Sequence, residues 1–222
     1  MAEQIGLSLP VQSSSGIDDF LISDCNSMAV SLLEDWENWP NLKHTLSGPA
    51  ASGKTHLGRI WAKQTNAFFL DAKTLKISDV DRIATTPLAI DNVSEMKAVS
   101  ELEEALFHVH NLLQERKLPF LLIGTGSPQF WNISLSDLNS RIQGARNAQI
   151  NEIDEKLFPL LMAKLFADRQ MYPSPDVFEY LNRRIDRSFS SINIIVEKID
   201  QISIEEKRPI TRSLVSKILK NL

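Results

Sequence analysis

Gly48-Pro-Ala-Ala-Ser-Gly-Lys-Thr55 governs how the rest of this 222-residue chain is read. The stretch fits G-x-x-x-x-G-K-[ST], the phosphate-binding loop of nucleoside triphosphatases. Average residue usage produces that pattern by chance in roughly one chain of this length in a hundred. Its flanks agree: Leu42 to Ser47 reads as a short strand, and Lys54 to Gln64 as a helix. Gly48, Pro49, Ala50, Ala51, Ser52 and Gly53 would form a loop whose backbone N–H groups, with the positive end of the helix, surround phosphates. Lys54 would reach the β and γ phosphates of ADP or ATP, and the Thr55 hydroxyl would ligate Mg²⁺. The plainer alternative is a small-residue turn that starts an ordinary helix.

Outward from the loop, short apolar runs alternate with helical ones. Asn26 to Trp36 carries Met28, Ala29, Leu32, Leu33 and Trp36 at helical spacing. Strands are expected at Ala67–Leu70, Pro87–Asp91, Phe120–Gly124 and Ala148–Ile153, and a long amphipathic helix at Met96–Arg116. Strands of this kind between helices indicate a parallel α/β sheet of five strands covered on both faces. From Asp154 the pattern is purely helical: Glu155–Met171, Pro175–Arg184, Ser190–Lys207 and Thr211–Leu219, punctuated by Pro173, Pro175 and Pro209. The expected organisation is a tail at 1–16, a nucleotide domain at 17–153 and a small all-helical lid at 154–222.

Composition narrows the function. Hydrophobic residues at 43% and charged residues at 23% are ordinary for a globular protein. A net charge of −4 argues against a generic nucleic-acid binder. No apolar run approaches the roughly 20 residues of a membrane span, and Met1-Ala-Glu-Gln lacks the basic start of a signal peptide, so a cytoplasmic protein with no membrane partner is expected. The single cysteine, Cys25, cannot form an internal disulfide; it is either a buried small apolar residue or a reactive thiol. His44, His56, His108 and His110 show no metal spacing.

Asp91, about 36 residues after Lys54 at the end of an apolar strand, is placed to hold Mg²⁺ through water, unless it merely caps the strand. Its neighbour Asn92 can hydrogen-bond a water but is no base, so weak or no intrinsic hydrolysis is expected. Arg141 in Leu135-Ser-Asp-Leu-Asn-Ser-Arg141 is either an arginine finger for a neighbour's nucleotide or a surface arginine paired with a carboxylate. Thr125 and Ser127 either sense the γ-phosphate or belong to a turn. Arg183, Arg184 and Arg187 form a basic cluster that binds phosphate or is simply solvated. In the tail, Gln4-Ile-Gly-Leu-Ser-Leu9 alternates apolar and small residues, which fits a docking peptide, an edge strand or a disordered terminus.

Taken together, Asp18-Asp-Phe20 with Asn26, Gly48–Thr55, Leu88-Ala-Ile-Asp91-Asn92, Leu135–Arg141 and Arg208-Pro-Ile-Thr211 resemble the DnaA group of AAA+ proteins, and within it the Hda-like regulators. The resemblance spans nearly the whole chain and implies an AAA+ P-loop domain with a helical lid, without a helix-turn-helix DNA-binding domain. It also implies that Gln4, Ile5, Leu7 and Leu9 bind the β sliding clamp, with DNA reached indirectly through the clamp. Arg141 would act in trans on ATP bound to the DnaA initiator and so inactivate it; assembly into a homo-oligomer is compatible with this. The alternatives are a self-contained ATPase such as a helicase loader, or a clamp adaptor with a structural nucleotide. The sequence departs from the group at Ser190, which stands where a lid sensor arginine is expected; Arg187, one turn earlier, is the candidate substitute.

Overall fold

Five parallel strands in the order β2-β3-β4-β1-β5 form the centre of the computed structural model, which describes residues 20–96, 100–206 and 209–220. The strands are β1 (Lys43–Gly48), β2 (Phe68–Asp71), β3 (Leu88–Asp91), β4 (Phe120–Thr125) and β5 (Arg146–Gln149). Among the described residues the helices are α1 (Ser27–Glu34), α2 (Lys54–Thr65), α3 (Val80–Ile83), α4 (Ser100–Glu115), α5 (Ser136–Gln143), α6 (Leu157–Asp168), α7 (Pro175–Asn182), α8 (Phe189–Glu206) and α9 (Arg212–Lys220).

Strand periodicity sorts the core into two layers. In β4, Leu121 and Ile123 join one apolar cluster while Phe120 and Leu122 join the other. Successive side chains of a strand point to opposite faces, so a strand buried on both sides must be apolar throughout. The first layer takes Leu46, Ala89 and Ala148 with α1, α2 and α6 to α9; the second takes Leu88 and Ile90 with α3, α4 and α5. The expected sheet with helices on both faces is what the chain adopts. The C-terminal helices share one continuous cluster with α1 and α2, which fixes them beside the phosphate-binding loop.

Local chemistry sets the element ends. α2 stops at Asn66, which turns left-handed (φ 53°) and bonds its N–H back to the Ala62 carbonyl. The Asp154 carboxylate accepts N–H groups of Lys156 (3.0 Å) and Leu157 (2.7 Å) at the start of α6, and the Ser23 hydroxyl (2.5 Å) and Cys25 N–H (3.2 Å) from before α1. Burial opposes its ionisation, but these donors outweigh it and hold the carboxyl below its usual range.

Three expectations need correction. β5 lies at Arg146–Gln149, not Ala148–Ile153: its partner β1 pairs His44 with Arg146 through Ser47 with Gln149. Ile150 and Ile153 are buried beyond the strand's end, so their apolarity marks core contact rather than extension. The helix expected at Met96–Arg116 starts at Ser100, after a 3₁₀ turn at Val93–Glu95, with residues 97–99 outside the described set. α3 was not anticipated, because one four-residue turn carries too little periodicity.

Candidate functional site

The phosphate-binding loop follows β1 directly. Its shape depends on Gly53, which is left-handed (φ 85°) and lies so close to the Phe20 ring that a Cβ would sit 3.0 Å away. Gly48 is similarly confined: a Cβ there would meet the Ile150 carbonyl oxygen at 2.8 Å. The first turn of α2 begins immediately after, and its N–H groups have no intrahelical acceptor.

Around this turn is a cleft of about 520 Å³ that brings together Ala50 to Thr55, Asp91, Asn92 and Thr125, as the motif reading expects. Lys54 is only 8% exposed and its ammonium donates to the carbonyls of Gly48 (3.1 Å) and Pro49 (2.5 Å). Burial lowers its pKa and the nearby Asp91 charge opposes the shift. Asp91 is 4% exposed and accepts the Asn92 N–H at 2.8 Å. Ser52 Oγ is buried with no hydrogen-bond partner among the described residues, a polar atom suited to a phosphate oxygen. The donor set therefore fits a nucleotide's phosphates: loop N–H groups, the Lys54 ammonium, and the Asp91 carboxylate in the same cleft as Thr55 for a hydrated Mg²⁺.

Beside it lies a more apolar cavity of about 220 Å³ that shares Ala51, Ser52, Gly53, His56 and Asn193 with the cleft. Phe20, stacked on His56 at 6.0 Å, and Leu157, Leu161 and Phe189 supply its walls. Phosphate donors leading into an apolar slot form a binding site for a molecule with an anionic end and a flat apolar end.

Sequence reasoning did not find His56, Arg59, Glu95 or Asn193 in this cleft. His56 and Arg59 follow the motif on α2 and were within reach of helical-wheel reasoning. Glu95 and Asn193 arrive by tertiary folding. Glu95 is ion-paired with Lys73 at 2.5 Å. Asn92 does not extend a free amide: its Nδ2 donates to the Asp71 carboxylate on β2 at 2.6 Å, and its left-handed backbone (φ 59°) sets that direction. Thr125 bonds through its N–H to Ser94 Oγ at 2.9 Å, and Ser127 is not part of the lining.

Two further candidate residues lie elsewhere. Arg187 pairs with Glu155 at 2.7 Å and does not line the cleft; Ser190 instead touches the loop, with its hydroxyl 3.3 Å from the Ala50 carbonyl. Arg141 is half-buried against α4, its guanidinium over the Phe107 ring (4.8 Å), bonded to Asn111 Oδ1 and 3.3 Å from His110 Nδ1. Lys43 donates to the Arg141 carbonyl at 2.7 Å and lies 3.2 Å from His110 Nε2. A neutral imidazole can accept from only one of these cations. Burial first, then the Lys43 and Arg141 charges, push the His110 pKa down to about 4. Among the described residues no carboxylate pairs with Arg141. Gln4, Ile5, Leu7 and Leu9 lie outside the described residues, as do Asp18, Asp19 and Arg208.

Domain III of the Thermotoga maritima replication initiation protein DnaA superposes on this chain with a TM-score of 0.77 at 17% identity, covering 92% of this chain and 95% of that one. The chain has the AAA+ fold. AMPPCP-bound DnaA from Aquifex aeolicus is similar at a TM-score of 0.65 and 16% identity, covering 81% of this chain and 63% of that one. The Thermotoga maritima RuvB Holliday junction branch migration motor reaches 0.66 at 21% identity, over 94% and 72%. No protein-family model matches the sequence. At such identities the likeness is one of fold, so the AAA+ architecture says where a site sits rather than what it does.

Proposed function

We propose that this AAA+ chain binds ADP or ATP with Mg²⁺ and uses the bound state to present Arg141 to ATP held by another protein, an initiator of the DnaA kind. Inactivation of that initiator is the outcome, and residues Gln4 to Leu9 hold the chain on the β sliding clamp in the cytoplasm. The observation that carries this reading is a full phosphate site whose position for a catalytic base is taken by Asn92, with its amide committed to Asp71. Lys54, the loop N–H groups, Thr55 and Asp91 bind and orient; Asn92 cannot take a proton from water. Arg141 supports the second half of the reading, because its partners are Asn111, His110 and Phe107, none of which neutralises its charge. A guanidinium without a counter-ion retains its full attraction for a phosphoryl group. Where an arginine finger operates it accelerates hydrolysis by about 10³ to 10⁵.

Glu95 favours a second reading, a self-contained ATPase such as a helicase loader, since it is a carboxylate in the cleft lining. Its ion pair with Lys73 is what that reading must break. A third is a clamp adaptor whose nucleotide is structural. ATP turnover measured alone, with DNA-loaded clamp, and with clamp plus a DnaA initiator separates them. Acceleration only in the complete mixture, lost in Arg141→Ala with nucleotide and clamp binding kept, is the expected result. Turnover by the chain alone, abolished in Glu95→Gln, would establish the ATPase. No acceleration in any mixture, with clamp binding lost in Gln4→Ala/Leu7→Ala, would establish the adaptor.

A further inference from the structure

The surface between α7 and α9 carries a concentration of positive charge that the nucleotide cleft does not use. A shallow groove of about 670 Å³ there is lined by Tyr180, Arg184, Arg212, Ser216, Lys217 and Lys220. The Tyr180 ring is its centre: the Arg184 guanidinium lies 5.4 Å from the ring centroid and that of Arg212 5.1 Å, while the hydroxyl bonds Ser216 Oγ at 3.1 Å. Two guanidiniums drawn to one ring, with two ammonium groups beside them, repel one another. No carboxylate lines the groove, and among the described residues none of the four cations has an ion pair. Arg183, one residue away, is the contrasting case, paired with Glu179 on the neighbouring turn.

The arrangement follows from how α9 is sided. Leu214, Val215 and Ile218 are buried in the core, which leaves Arg212, Lys217 and Lys220 exposed on the other side. From Arg212 to Lys220 is nine residues of helix, eight rises of 1.5 Å or about 12 Å. A row of that length spans several consecutive phosphates of one strand, which rise about 3.4 Å each, and is longer than one small anion requires. Arginine forks and hydroxyls both suit phosphate oxygens.

We propose that the α7–α9 groove is a sequence-independent contact for the phosphate backbone of a nucleic acid. A net charge of −4 makes the chain as a whole repel such a polymer, so the contact is local and salt-sensitive. This does not rest on the functional reading above, since none of these residues lines the nucleotide cleft.

The test is fluorescence anisotropy of a labelled mixed-sequence oligonucleotide, single-stranded and duplex, titrated with the full chain between about 50 and 200 mM salt. Dissociation constants of about 10⁻⁴ to 10⁻⁶ M are expected, as for non-specific contacts. The variant Arg184→Gln/Lys217→Gln/Lys220→Gln should bind at least about tenfold more weakly, with the slope of log K against log salt reduced by about two to three. Its melting temperature and its affinity for a fluorescent ATP analogue should match the unaltered chain. If the triple variant fails to fold, Arg184→Gln and Lys220→Gln singly should each lower the slope by about one. Absence of binding by the unaltered chain overturns the proposal, as does an unchanged slope in the variants. Binding of a poly-glutamate peptide in preference to either oligonucleotide also overturns it, in favour of an acidic protein partner.

Discussion

Lys54 and Arg141 are both cations held by neutral groups, yet the fold gives them opposite situations. Lys54 is buried, bonds the carbonyls of its own loop and faces a cleft completed by Asp91. Arg141 lies across α4, braced by residues some 30 positions earlier in the chain, outside that cleft. The first is part of a local motif in which backbone geometry does most of the binding. The second is displayed by packing between two helices, so its position depends on the second core layer. A cation's role thus follows from what shares its space: a carboxylate and N–H groups in one case, an imidazole, an amide and a ring in the other.

Removing each cation in turn separates the two regions most sharply. Lys54→Ala should lower nucleotide affinity by about 100-fold, equivalent to about 3 kcal/mol for a charge-assisted contact. Arg141→Ala should leave the same affinity unchanged in equilibrium titration. A comparable loss in both would mean that the two regions are one site.

Acid should destabilise the sheet and the Arg141 region through two buried histidines, His44 in β1 and His110 in α4. His44, stacked on Trp39 at 4.2 Å, has its pKa lowered to about 4 chiefly by burial, as has His110. The folded state therefore holds these groups neutral while the unfolded chain protonates near pH 6.5. Stability is fully present above pH 6.5 and falls as the pH drops towards 4. The loss is a few kcal/mol per histidine at most, since each tenfold change in proton affinity is worth about 1.4 kcal/mol. Chemical denaturation as a function of pH measures it; His110→Gln should flatten the curve and also loosen Arg141. A curve unchanged in that variant would remove His110 from the account.

A smaller effect is expected where α2 meets the sheet. A Cβ on Gly58 would fall 2.3 Å from Ile123 Cδ1, so that side chain must shift; set against the roughly 1 kcal/mol alanine gains over glycine in a helix, Gly58→Ala should cost about 0–2 kcal/mol in thermal unfolding. Smallest of all, Asn111→Ala should shift stability by under about 1.5 kcal/mol. It should nonetheless change any trans-acting activity of Arg141, because the guanidinium loses its hydrogen-bonded orientation.

The Cys25 thiol is buried too. Burial is the main cause that raises its pKa to about 11, with a hydrogen bond from the Asp154 backbone to the thiol opposing, which supports the apolar reading over the reactive one.

The phosphate-binding loop, four of the five strands and the layered sheet were legible because each rests on neighbours in sequence: Gly53 for a left-handed turn, alternating Phe120 to Ile123 for a strand buried on both faces. β5 was displaced in the sequence reading because apolar Ile150 and Ile153 look like strand residues, whereas pairing to β1 selects Arg146–Gln149. Hydrogen-bond register is a property of two strands, and one strand's composition does not contain it. The same reason separates the sites. Residues Gly48 to Thr55 suffice to specify a phosphate cradle, since its donors are consecutive backbone N–H groups. Tertiary packing was needed to bind Asn92 to Asp71, to rest Arg141 on Asn111, and to bring Arg212 to Tyr180. Those partners stand from about 20 to more than 30 residues apart, and their meeting is a consequence of how strands and helices pack together.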